Sequence, residues 1–286
     1  MLPGLEKNLI FVSGKGGVGK TTVSKGLAHA LAQSGKKTLW AEFENPSRPD
    51  GELRETAPQL WSLNCEAATA FEQYAALKIR IPGLTQLFTK NKVIRYLAQA
   101  SPGIHELVLL GKVWHERENY DHIVVDMPST GYGLAMFQSV ANFVKLFGSG
   151  PLSKDGEAML ATFRDPRQTA HLILALPEEM PLQEAIELAD FLKKFFPENP
   201  PLFWANRVFP EIDPAVASQA GISLDFKQPR AHDSVEFALR RSLLENQNLD
   251  LWRNQSISFQ KIPYFLPTSP LVPAIARYFS QTGAVR

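Results

Sequence analysis

The sequence predicts an α/β protein, a mostly parallel, doubly wound sheet with helical additions on one edge. Three features carry that expectation. Short apolar runs of strand length recur along the 286 residues, separated by longer stretches with helical spacing. Most of these runs meet a glycine- or proline-bearing turn, as in "LIFVSGKGG", "HIVVDMPSTG" and "HLILALPEE". A hydrophobic content of 44% with interspersed charge is enough to cover such a sheet on both faces. Residues 1–286 read as a single domain.

The first strand is expected over Asn8 to Ser13, an apolar run that stops at Gly14. A helix follows from Thr22 to Ser34, because Val23, Leu27, Ala30 and Leu31 share one face and Gly35 supplies a C-cap. Thr38 to Ala41 reads as the second strand. Ile123 to Asp126 reads as the third, stopped by Pro128 and Gly131. "AHLILALP", "PLFWAN" and "SISFQKIP" supply three more. From Leu182 to Phe196, Leu182, Ala185, Ile186, Ala189 and Leu192 fall on one side of a helix. Two stretches exceed simple alternation: Leu60 to Tyr120 has room for two or three helices, and Gly131 to Thr169 for two more. These are the expected helical additions, at about 60–120 and 131–169. Late prolines, in "FPENPP" and "IPYFLPTSPLVP", mark loops around the last strands.

Composition excludes several classes. Thirty basic against 29 acidic residues leave a formal charge of +1, which argues against a dedicated nucleic-acid surface. "MLPGLEKNLI" lacks a basic segment leading into a long apolar core, and runs such as "HLILAL" are too short to span a bilayer. With a single cysteine, Cys65, neither an intramolecular disulfide nor a CxxC zinc site can form, and the expected location is cytoplasmic. The six histidines, His105, His115 and His122 among them, show no ligand spacing and read as ordinary surface or packed residues.

Between the first strand and the first helix, Gly14-Lys15-Gly16-Gly17-Val18-Gly19-Lys20-Thr21 fits G-x-x-x-x-G-K-[ST] in the strand–loop–helix context the motif needs. Glycines let backbone N–H groups turn inward around phosphate oxygens, where the helix N-terminus adds favourable potential. Lys20 is expected at the β- and γ-phosphates of ATP, and the Thr21 hydroxyl, followed by Thr22, at Mg²⁺.

"KGGVGKTT" resembles the deviant Walker A motif of the MinD, ParA, nitrogenase iron-protein and ArsA families. The resemblance implies a dimer in which Lys15 crosses to the phosphates held by the opposite subunit. "YDHIVVDMPSTGYGLAMFQSV" resembles the Asp-Thr-Ala-Pro-Thr-Gly-His-Thr segment of ArsA and Get-pathway ATPases. Asp126, Thr130 and Gly131 keep their places; Pro128 and Ser129 are altered, and Tyr132 stands where histidine is usual. This implies that Asp126 orients the Mg²⁺ water shell and that Met127 to Tyr132 senses the γ-phosphate. "AFEQYAALK", "SPGIHELVLLGKVW", "FRDPRQTAHLILALPEEMPLQEAIEL", "ANRVFP" and "IPYF" look like bacterial ArsA-related proteins in the same order. Asn206 falls where the family has an adenine-recognising asparagine; the other reading is a strand-end loop residue. The family's water-positioning aspartate, in Ser-Thr-Asp-Pro, aligns with Glu44 in "AEFENPS". A one-residue slip onto Asn45 and Pro46 would lose the carboxylate. Glu178 and Glu179 are candidates to meet the partner's Lys15, or form a solvated acidic turn.

The resemblance implies an ATPase switch, homodimeric or paired with a related subunit, that binds a hydrophobic or protein client. Cys65 alone supplies no metalloid site, no intersubunit zinc and no iron–sulfur ligation. Met136, Phe137, Val140, Val144 and Phe147 share one helical face, either lining a client groove or packing on the sheet. "PLVPAIARYFSQ" is too short and proline-broken for a membrane-binding helix. Rival readings are a ParA/MinD-type positioning ATPase and a non-hydrolysing subunit of a heterodimer.

Overall fold

The computed structural model describes residues 4–48, 51–78, 103–147, 151–211, 234–266 and 270–283. Among them run eight strands: β1 (Leu9–Ser13), β2 (Thr38–Phe43), β3 (Leu53–Ala57), β4 (Leu60–Cys65), β5 (His122–Asp126), β6 (Thr169–Ala175), β7 (Leu202–Val208) and β8 (Phe259–Pro263). They form one sheet in the order β3-β4-β2-β5-β1-β6-β7-β8, parallel throughout except for β3, which runs antiparallel to β4. The six expected strands are all present. β1 lies between β5 and β6, with Phe11 level with Val125 and His171.

One expectation needs correction. Leu60, read as the start of a helical stretch, opens a strand instead. "LWSLNC" carries Ser62 and Asn64 inside an apolar run, which breaks the pattern of a buried strand, yet both are buried. Arg48 donates to Ser62, and Asn64 is consumed by the turn after β2, so each polar group is satisfied. β3 is the exposed edge strand.

The helices are α1 (Lys20–Gln33), α2 (Ala67–Lys78), α3 (Ile104–Glu116), α4 (Thr130–Phe147), α5 (Pro151–Arg164), α6 (Glu179–Phe195), α7 (Ser234–Asn254) and α8 (Leu271–Gln281). α1 and α8 cover one face. They approach closely at Gly26, where a Cβ would come within 2.4 Å of Ile275. The C-terminal helix thus buries Ile275, Ala276 and Phe279 in the core. α3 to α7 cover the other face, and α2 packs against α3. Met136, Phe137 and Val140 are buried in that layer, so this part of the α4 stripe is core; the Phe147 side chain lies outside the described residues. The middle of the first helical addition, residues 79–102, lies outside them as well.

His171 sits at the centre of this core, stacked between Phe11 and Phe196 at centroid distances of 5.5 and 4.6 Å. Its Nε2–H donates to the Phe163 carbonyl over 3.0 Å, whereas the buried Nδ1 finds no partner among the described residues. Complete burial pushes its pKa down from 6.5 to about 4. The native state therefore favours the neutral ring, and stability is full above pH 6.5 and declines as the pH falls towards 4. The predicted loss is about 3 kcal/mol over that window, one proton's worth of linkage. Urea unfolding of wild type and His171→Phe across that range should show the variant free of this component.

Candidate functional site

The end of β1 delivers the chain into a loop that only glycine can start. Gly14 has φ 148°, and a Cβ there would lie 2.2 Å from the Leu174 carbonyl oxygen on β6. The loop closes at Lys20, the first residue of α1. The Lys20 Nζ donates back to the carbonyls of Gly14 and Lys15 over 2.9 and 3.1 Å. Burial lowers the Lys20 pKa, and the nearby Asp126 carboxylate works against that shift. A cation held inside a glycine turn at a helix N-terminus is an arrangement for polyphosphate.

Asp126 ends β5 beside β1, level with Val12. The Thr21 hydroxyl donates to its Oδ2 over 2.6 Å, while Oδ1 is buried with no hydrogen-bond partner among the described residues. Burial drives the Asp126 pKa up to about 6; Thr21 and Lys20 pull it down and Glu42 pushes it up. A hydroxyl beside a carboxylate with one unused oxygen fits Mg²⁺ held mainly by phosphates and water. Among the described residues no cluster of three or more His, Cys, Asp or Glu side chains offers a self-sufficient metal cage. Cys65 is buried and its thiol is pushed up to about 12, which leaves it inert.

Asn206, on β7, is buried and donates its side-chain N–H to the Val18 carbonyl over 2.8 Å. It thereby braces the loop from across the sheet. It also borders a cleft of about 160 Å³ bounded by Gly19, Thr22, Arg207, Tyr264 and Phe265. With Tyr264, Phe265 and the Asn206 amide among its lining residues, the cleft suits a planar heterocycle. Arg207 was not legible as a site residue; its left-handed φ of 58° beside the cleft is a structural signal only.

Lys15 is exposed and pairs within its own chain. Its Nζ meets Glu184 Oε1 on α6 at 2.6 Å. Glu178 and Glu179 lie exposed at the start of the same helix. Glu184 was missed because its helical position reads as a solvated face.

Glu44 follows β2 in the left-handed region, with φ 47°. Its N–H donates to the Cys65 carbonyl over 2.9 Å, and the next turn residue is gripped by Asn64 on β4 through two bonds of 3.0 Å. The Asn45 side chain turns back to the buried Glu42, which also pairs with Arg48. The Glu44 side chain, by contrast, is exposed. Its Oε1 lies 3.1 Å from His105 Nε2, so His105, read as an ordinary histidine, meets this candidate carboxylate. Burial, and then the nearby Glu44 charge, push the Tyr132 hydroxyl up to about 12.

Comparison with known proteins agrees with this geometry. A family model described as the CobQ/CobB/MinD/ParA nucleotide binding domain matches residues 9–202. ATPase BagA of Mycobacterium tuberculosis is 28% identical over 207 residues, 64% of this chain and 60% of its own length. ATPase ARSA2 of Chlamydomonas reinhardtii is 26% identical over 253 residues, covering 72% of this chain and 69% of the relative. ATPase ASNA1 homolog 1 of Paramecium tetraurelia is 25% identical, covering 65% and 70% respectively. The chain thus spans about 60% of the mycobacterial relative.

Proposed function

The chain belongs to the CobQ/CobB/MinD/ParA nucleotide-binding family, with ArsA/Get-type relatives, and from that premise we propose that it is a dimeric, Mg²⁺-dependent ATPase acting as a nucleotide switch. The observation that carries the reading is the convergence of Lys20, Thr21 and Asp126 on one loop mouth, with an unused Asp126 oxygen. In this reading the loop from Gly14 to Thr22 cradles the phosphates and Lys20 neutralises them. Thr21 and Asp126 hold Mg²⁺ and its water shell, and the cleft beside Asn206 takes the adenine. Glu44 faces the attacking water, and Lys15 leaves Glu184 to act on the phosphates of a second copy or a related subunit. Met127 to Tyr132 follows directly on Asp126 and leads into α4, so a change at the phosphates reaches the helical layer through it. That layer presents the surface for a protein or hydrophobic client. Among the described residues no helix is long and apolar enough to cross a membrane.

The test is calorimetry of ATP with and without Mg²⁺, phosphate release, and sedimentation with a non-hydrolysable analogue. The expected result is Mg²⁺-enhanced uptake, slow turnover and nucleotide-dependent pairing. A folded protein that takes up no adenine nucleotide with Mg²⁺ present refutes the proposal at its root.

A further inference from the structure

We propose that His105 is a positioning residue that holds the Glu44 carboxylate for its work on water, a step that rests on the ATPase reading above. The two side chains come from separate elements. Glu44 belongs to the turn after β2 and His105 to the first turn of α3. The His105 Nε2 lies 3.1 Å from Glu44 Oε1. This contact ties the carboxylate to the start of α3.

The backbone carries a second mark of constraint. Glu44 is a non-glycine residue in the left-handed region, a conformation that persists only where the surroundings dictate it. Those surroundings are the Cys65 carbonyl and the Asn64 side chain at the end of β4. The turn is therefore fixed from the sheet side and its carboxylate from the helix side.

Among the described residues, the charges acting on His105 are acidic. His105 faces Glu44, Glu106 on its own helix, and Glu66 ahead of α2, and its pKa is raised, chiefly by the bond to Glu44. Glu66 is itself occupied by the N–H and hydroxyl of Thr69, both at 2.8 Å. Tyr132 faces Glu44 and Glu106; burial first, then these charges, push its hydroxyl up to about 12.

The experiment measures steady-state turnover of the full chain with Mg²⁺-ATP. His105→Ala is expected to lower kcat about 10- to 100-fold while KM for ATP stays within about twofold, because misplacing one reacting group by an ångström costs that much. His105→Gln, which keeps an N–H donor at similar reach, should recover most of that loss. In a Glu44→Ala background the His105→Ala change should cost nothing further, since the two act as one unit. An NMR titration of the His105 ring should give a pKa above 6.5 in wild type that falls in Glu44→Gln. Additive losses in the double variant, a His105→Gln as slow as His105→Ala, or a His105 titration indifferent to Glu44→Gln each overturn the proposal. Wild-type turnover left unchanged by His105→Ala discards the positioning role alone. A wild-type protein that releases no phosphate discards the ATPase reading, and this one with it.

Discussion

A Lys15→Ala variant is expected to bind Mg²⁺-ATP about as well as wild type and to turn it over roughly 10³-fold more slowly, the scale of a cationic group supplied in trans to phosphoryl transfer. The residue's place in the loop separates the two effects. Its main-chain carbonyl accepts from Lys20, and alanine preserves that bond, whereas its ammonium points away from the loop to Glu184. The ion pair is half-exposed on both sides, so releasing it costs at most about 1 kcal/mol. Lys15 is therefore cheap to recruit elsewhere. Mixing the variant with wild type distinguishes the two ways a lysine can act. A lysine reaching the partner's phosphates predicts turnover that departs from the sum of the parts as the mixing ratio changes. Strict additivity at every ratio, with dimers present, places its action within one subunit and refutes the trans role.

Lys20→Met is expected to weaken Mg²⁺-ATP binding by roughly 10²- to 10³-fold. About two charge-assisted hydrogen bonds at about 1.5–3 kcal/mol each would be lost together with the cation. The nucleotide-free protein should tolerate the same change. Lys20 donates to two carbonyls, and burial disfavours its charge in the absence of phosphate, so methionine removes a strained cation and keeps the stem. Thermal melting without ligand should stay within a few degrees of wild type or rise, while the stabilisation that Mg²⁺-ATP gives wild type should vanish. A variant still stabilised by Mg²⁺-ATP as fully as wild type contradicts the assigned role of Lys20.

Much of the fold was legible because it depends on local pattern. β1, the glycine loop and α1 follow one another without interruption, and burial confirms Val23, Leu27, Ala30 and Leu31 as the inner face of α1. The apolar runs at β5, β6 and β7 are almost wholly buried, as parallel strands covered on both sides must be. β4 was not legible, because Ser62 and Asn64 look like loop residues until Arg48 and the β2 turn are seen to satisfy them. The α4 stripe could not be assigned by periodicity, since a groove-lining face and a core-facing one have the same spacing. Burial of Met136, Phe137 and Val140 decides in favour of the core for that part of it.

By itself the sequence determined the phosphate loop, the strands that flank it and the residue types offered there. Those follow from interactions between near neighbours in the chain: a turn that needs glycine, a helix start, an apolar period. Only the tertiary structure decided which distant side chains face one another. The bond between Thr21 and Asp126 spans 105 positions, that between Asn206 and Val18 spans 188, and that between Lys15 and Glu184 spans 169. Hydrogen-bond partners of this kind are chosen by strand order and by which face each helix covers. No local propensity encodes either, because strand order and helix placement are set by how the whole apolar surface is buried.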